Sequence, residues 1–207
     1  AVIFPTETVY GIGANALCDQ SVEKIYRIKK RPSNNPLIVH VLDWNSAKIY
    51  TNITNNEETI INELTKKYWP GPLTILVKKN RYISDKVTAN SEWVALRSPS
   101  NQIARKLLQY SMLPIAAPSA NISGKVSSTY KQHVIDYFKD VNISILVSDD
   151  PCKYGIESTI VKIEEIDNSC LGENSIDLSI LRPGIITNND IHFLLKNKNS
   201  GIRDRLE

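Results

Sequence analysis

Cysteine and histidine are scarce in this 207-residue chain, and neither is arranged for metal or disulfide chemistry. Cys18, Cys152 and Cys170 are odd in number and widely spaced, no C-x-x-C pair occurs, and His40, His133 and His192 are scattered. Neither a disulfide framework nor structural zinc is expected, and no protein side chain is predicted to ligate a metal. The thiols are expected buried or neutral, since a nucleophilic cysteine needs a paired base. No apolar run reaches the ~18 residues of a membrane span, and the amino terminus shows no basic segment followed by a cleavage pattern. A soluble, cytoplasmic protein without a membrane partner is expected. The G-x-G at Gly11 and Gly13 lacks the third glycine of a dinucleotide fingerprint, and no G-x-x-x-x-G-K-[ST] occurs, which excludes a Walker-type phosphate loop. Charge of one sign is also missing. The 25 basic and 22 acidic residues leave a net charge of +3, too little to argue for non-specific nucleic-acid binding.

What remains suits one well-filled α/β domain over residues 1–207, at 42% hydrophobic content, with no linker or internal repeat. Hydrophobic spacing predicts strands at Val2–Phe4, 37–41, Leu73–Val77, Val94–Arg97, Leu113–Ala117, Ile143–Val147 and near 157–163 and 176–181. It predicts helices at about 20–30, 44–51, 57–68, 101–110, 128–138 and 189–196, and turns at Trp69–Pro72 and near 172–174. Val2–Phe4 reads as an edge strand ended by Pro5, Gly11 and Gly13 as turn residues, and Asp19 as a helix cap. A layered structure on a twisted mixed sheet follows.

Polar chemistry clusters at a few places on this frame. Lys29 and Arg31 leave a helix just before Pro32, and Asn35-Pro36 then leads into an apolar strand, so both cations are pinned between rigid elements. Such cations usually complement a helix dipole, but here they also suit phosphate recognition, where Arg offers a planar fork and Lys a point charge. Arg97 ends an apolar strand, which is where α/β sheets reach their ligands. In Pro118-Ser-Ala-Asn-Ile-Ser-Gly124, small residues permit close backbone approach, and Ser119 and Asn121 can point to one side. Tyr154–Thr159 and Leu181-Arg-Pro-Gly184 add hydroxyls and a second rigidly flanked arginine, Arg182.

In order, PTETVYGIG, KKRPSNNPLIVHV, YWPGPLTILV, VALRSP, APSANISGKVS, GIESTIV and LRPGIIT strongly resemble the YrdC-like threonylcarbamoyl-AMP synthase family, from Val2 to about Thr187. The resemblance implies an α/β fold (α+β in some schemes) like that of dihydroxybutanone phosphate synthases, a mixed twisted sheet flanked by helices around a basic concave cavity. It implies condensation of L-threonine, bicarbonate or CO2, and ATP with Mg²⁺ into threonylcarbamoyl-AMP and pyrophosphate. A downstream tRNA threonylcarbamoyl transferase complex would use that product on the adenosine 3′ to the anticodon, and direct tRNA binding is expected to be weak or absent. Longer relatives append a second domain, which is not expected here.

Residue by residue, the resemblance implies that Thr8, His40, Arg97, Ala117 and Ser158 surround threonine, with Arg97 on its carboxylate. It implies that Arg31, Asn35, Ser119, Ser127 and Arg182 contact ATP, and that Lys29, Arg31, Ser119 and Asn121 form the catalytic signature. Trp93 stands where relatives often carry Thr. A concave basic surface could alternatively make an RNA-binding or ribosome-maturation module without synthase activity, although aromatic stacking motifs and a large basic excess are missing.

Overall fold

In the computed structural model the described residues are 1–166 and 175–196, with the backbone of 202–204. The first half alternates strands and helices: β1 (Val2–Phe4), β2 (Gly11–Asn15), α1 (Asp19–Lys29), β3 (Ile38–His40), α2 (Trp44–Ala47) with a 3₁₀ turn at Lys48–Tyr50, α3 (Asn55–Tyr68) and β4 (Leu73–Lys78). Then follow α4 (Asp85–Thr88), β5 (Trp93–Arg97), α5 (Gln102–Ser111), β6 (Ile115–Ala117), α6 (Lys131–Phe138) and β7 (Ser144–Ile145). β8 (Thr159–Ile166), β9 (Ser175–Arg182), α7 (Asn188–Lys196) and β10 (Ile202–Asp204) complete the described elements.

Local chemistry explains where the helices begin and end. A capping box between Thr54 and Glu57 starts α3, and the Asn101 side chain accepts from the Ile103 and Ala104 N–H groups to start α5. In α1 the buried positions Val22, Ile25 and Lys29 fall on one stripe, and Lys30 closes the helix in the left-handed region at φ 52°.

The strands form one mixed sheet in the order β10-β9-β8-β4-β5-β3-β6-β2-β1-β7. β4, β5 and β3 occupy its middle, with β4–β5 antiparallel and β3–β5 parallel. Their register aligns Thr74, Arg97, His40 and Ile115 in one cross-strand row, and Leu76, Ala95, Ile38 and Ala117 in the row two residues along. Because side chains alternate, these two rows share one face. The intervening residues Ile75, Leu96, Val39 and Ala116 occupy the other face and are wholly buried in the main core with Val22, Ile25, Ile61 and Leu64. The face carrying Arg97 and His40 is where the cavity lies.

Several expectations need correction. Gly11 and Gly13 are strand residues, not turn residues. They pair with Phe4 and Val2, and a Cβ on Gly13 would come within 2.5 Å of Ile115 Cγ2 and 2.8 Å of Phe4 Cε1. Glycine is needed there for close packing rather than for φ. β1 is not an edge strand, since β7 pairs alongside it. Cys18, not Asp19, is the residue before α1, and it makes no side-chain cap. The helix expected from 128 begins at Lys131, the strand expected over Ile143–Val147 shrinks to Ser144–Ile145, and α4 was not anticipated. The turn expected near 172–174 lies outside the described residues.

Gly13→Ala is expected to lower the unfolding free energy by about 1–3 kcal/mol, the usual cost of overpacking, as read from the urea midpoint. An unchanged midpoint would show that Phe4 and Ile115 yield freely.

Candidate active site

A cavity of about 810 Å³ opens over the sheet face just described. Ile38, Leu76, Ala95, Ala117 and Ile160 give it an apolar floor, with Thr6, the segment 8–11, Arg31, Asn35, Ser119, Glu157, Ser158 and Arg182 in its walls. Arg97 and His40 stand at one end of the floor, and Trp93 and Lys162 at the other. The Lys162 ammonium lies 4.2 Å from the Trp93 ring centroid, a cation–π contact, and is paired with Glu164 at 2.5 Å.

Arg97 is tied down from below. Its Nη2 donates to Glu7 Oε1 at 2.6 Å and both side chains are only 4% exposed, while Glu7 Oε2 accepts from the Ser100 N–H at 2.9 Å. Burial alone would raise the Glu7 pKa, but the Arg97 charge and hydrogen bond, with the backbone donors, hold it below the ordinary carboxylate range. Arg97 is therefore not the free strand-end cation that the sequence suggests; with five donors, a guanidinium can serve Glu7 and a second anion at once. His40, across the register from Arg97, is buried, and its Nδ1 has no hydrogen-bond partner among the described residues. Burial, and then the Arg97 charge, depress its pKa to about 3, so the imidazole is neutral at physiological pH.

Two further arginines in the walls are held by hydrogen bonds to backbone and side-chain oxygens. Arg31 Nε and Nη2 donate to the Asn35 carbonyl and side-chain oxygens at 3.0 and 2.6 Å, with Pro36 O at 3.0 Å from Nη2. Arg182 Nε donates to Ser158 O and its Nη2 to Ser158 Oγ, both at 3.0 Å. Burial lowers the Arg182 pKa, Glu157 opposes that, and Arg97 and Arg31 lower it further. Arg182 thus feels the two other guanidiniums, and the three together make a field that favours a polyanion.

Not every expected site residue reaches the cavity. Thr8, Arg31, Asn35, His40, Arg97, Ala117, Ser119, Ser158 and Arg182 line it; Lys29, Asn121 and Ser127 do not. Lys29 is 1% exposed, and its Nζ donates to the Ser119 and Asn121 carbonyls, each at 2.5 Å. Burial, then the Arg31 charge, lowers its pKa to about 8. Ser119 Oγ donates to Asn121 Oδ1 at 2.5 Å, so both side chains do face one way. Lys29 and Asn121 thus brace the loop that presents Ser119, and Ser127 donates to Glu157, which does reach the cavity, at 2.5 Å. Cys152, its pKa raised by burial to about 11, is a neutral thiol; Cys170 lies outside the described residues. Among the described residues no three His, Cys, Asp or Glu side chains converge on a metal position, and no helix is long and apolar enough to cross a membrane.

Sequence reasoning missed Glu7 as a site residue. A carboxylate among the threonines of Pro5-Thr-Glu-Thr8 was the available signal, but its partner lies 90 residues away. Glu157 and Lys162 were also missed.

Comparison with known proteins shows which family this chain resembles. The Sua5/YciO/YrdC family model, described as "Telomere recombination", matches residues 1–183. The chain is 42% identical over 195 residues to the threonylcarbamoyl-AMP synthase of Bacillus subtilis, covering 94% of this chain and 52% of that one. It is 41% identical over 164 residues to the Pyrococcus abyssi protein of the same name, covering 79% and 47%. The chain thus spans about half the length of these curated relatives. It also superposes on the crystal structure of P. abyssi Sua5 complexed with L-threonine, with a TM-score of 0.81 at 35% identity, covering 100% of this chain and 55% of that one.

Two stability effects follow. Glu7→Ala, which leaves Arg97 buried and unpaired, is expected to cost about 3–5 kcal/mol; a loss below ~1 kcal/mol would mean that water reaches the pair. His40 takes up a proton near pH 6.5 when unfolded but only near pH 3 when folded. Its contribution is therefore complete above pH 6.5 and is lost as pH falls towards 3, at up to about 1.4 kcal/mol per pH unit. Urea midpoints should fall between pH 6.5 and 5, and His40→Gln should flatten that fall. An equally steep fall in the variant would assign it to other groups.

Proposed function

Because the chain belongs to the Sua5/YciO/YrdC family, we propose that it condenses L-threonine, bicarbonate or CO2, and ATP into L-threonylcarbamoyl-AMP and pyrophosphate. The observation that carries this reading is the cavity itself: three arginines from distant segments meet around an apolar floor, with one of them fixed by a buried carboxylate. The threonine complex of the P. abyssi relative supports the choice of amino acid.

Arg97 takes the threonine carboxylate, held in place by Glu7, while Thr8, His40, Ala117 and Ser158 enclose the rest of the amino acid. Neutral His40 brings no second positive charge beside the amine. The amine gives up its proton and joins CO2 as a carbamate, whose oxygen attacks the α-phosphorus of ATP. The bond from that phosphorus to the bridging oxygen of pyrophosphate then breaks. Negative charge accumulates throughout, and Arg31 and Arg182 stabilise it by position and electrostatics, without a covalent protein intermediate. Asn35 and Ser119 contribute to the nucleotide side. Lys29, Asn121 and Ser127 act from behind the wall by holding Ser119 and Glu157. Mg²⁺ would enter as part of the ATP substrate, and Glu157, the carboxylate that lines the cavity among the described residues, would be available to it, because Mg²⁺ commonly binds through one or two carboxylates plus phosphates.

The product is a reactive mixed anhydride, so a separate tRNA threonylcarbamoyl transferase would consume it, in the cytoplasm where ATP, threonine and tRNA meet. Direct tRNA contact is not required for the first step.

The test is pyrophosphate release from ATP and bicarbonate with L-threonine, L-serine or no amino acid, with mass detection of the adenylate. Threonine-dependent release with the threonylcarbamoyl-AMP mass is expected; amino-acid-independent release or none would overturn the reading. Serine should be disfavoured by about 1–3 kcal/mol, the value of one methyl group. Arg182→Ala should raise the ATP KM about ten- to hundredfold, the equivalent of a charge-assisted hydrogen bond. An unchanged KM would remove Arg182 from the nucleotide site.

A further inference from the structure

Thr74, the second residue of β4, is wholly buried and lies in the same cross-strand row as Arg97 and His40, yet it does not line the cavity. A packing role would need only its shape. Its hydroxyl, however, lies 2.7 Å from Ser158 Oγ, which is also wholly buried and is the atom that accepts from Arg182 Nη2. The second Arg182 bond, from Nε, goes to the carbonyl of the same Ser158. Both hydrogen bonds that orient Arg182 thus end on one residue, and Thr74 is what its side chain leans on. The neighbouring backbone is held independently, because Thr159 N–H donates to Pro72 O at 3.0 Å and the Thr159 hydroxyl donates to Ile186 O at 2.8 Å. The Ser158 side chain alone is left to be fixed by Thr74.

A hydroxyl has one proton and two acceptor positions. With Arg182 occupying one acceptor position of Ser158, the contact with Thr74 removes the remaining freedom of rotation. Without it, Ser158 Oγ can turn away and Arg182 retains only its Nε bond.

We propose that Thr74 is a positioning residue for Arg182, acting through the Ser158 hydroxyl, so that the guanidinium is preorganised for the phosphates of the nucleotide. This rests on the reading of Arg182 as a phosphate ligand. Valine and serine separate positioning from packing, since Thr74→Val keeps the volume and loses the hydroxyl, whereas Thr74→Ser keeps the hydroxyl and loses the methyl.

The probe is inorganic pyrophosphate, titrated calorimetrically into each full chain, alongside the ATP KM. Thr74→Val is expected to weaken both about five- to tenfold, the scale of one neutral hydrogen bond, and Thr74→Ser to stay within about twofold of the parent. The Arg182 Nε–H signal in nitrogen–proton spectra, which needs no turnover, should broaden or shift in Thr74→Val and persist in Thr74→Ser. Parent-like pyrophosphate binding in Thr74→Val, or an equal loss in both variants, would overturn the proposal in favour of packing. If the parent binds pyrophosphate but makes no adenylate, the synthase reading fails while the order of the variants still decides the role of Thr74. A parent that makes the adenylate but binds no pyrophosphate overturns the role of Arg182 as a phosphate ligand, and with it that of Thr74, while the synthase reading stands.

Discussion

The buried pair of Glu7 and Arg97 is the interaction on which the cavity depends. It joins the loop after the first strand to the end of the fifth, and it brings a guanidinium into a place where burial would otherwise exclude charge. An unpaired cation at 4% exposure would be costly. With Glu7 accepting from both Arg97 and the Ser100 N–H, the charge is compensated from below and donor capacity remains for a ligand. The same guanidinium helps to keep His40 neutral, so the end of the cavity holds one cation and one uncharged polar ring.

Around that pair, the groups divide into those that face the cavity and those that hold them. Arg31, Ser119, Ser158 and Arg182 are in the wall; Lys29, Asn121, Ser127 and Thr74 stand behind it. Lys29 illustrates the division, since its buried ammonium donates to two backbone carbonyls of the Ser119 loop. Such preorganisation is what a reaction of polyanions requires, because donors already in place need not reorganise as charge develops.

Much of this was legible in the sequence for identifiable reasons. The helix Asn55–Tyr68 was expected at about 57–68 from its apolar stripe, though its Thr54–Glu57 capping box was not, and the central strands stood out as short apolar runs between turn residues. The ordered motifs located nine of the residues that line the cavity. The Gly11–Asn15 strand was misread because glycine signals a turn locally, whereas here it is demanded by Phe4 and Ile115, which come from different strands. Glu7 escaped because its importance lies entirely in a partner distant in sequence.

The amino-acid sequence by itself determined the family, most of the strands and helices in their order, and the residue types available for anion chemistry, since these depend on periodicity, turn chemistry and local motifs. Only the tertiary structure decided which of those residues face the cavity and which stand behind it. Sheet register aligned Thr74, Arg97 and His40, and packing buried Lys29 with its ammonium on the Ser119 and Asn121 carbonyls. The physical reason is that a side chain's charge, orientation and partners depend on neighbours brought close by folding, and no pattern along the chain encodes those distances.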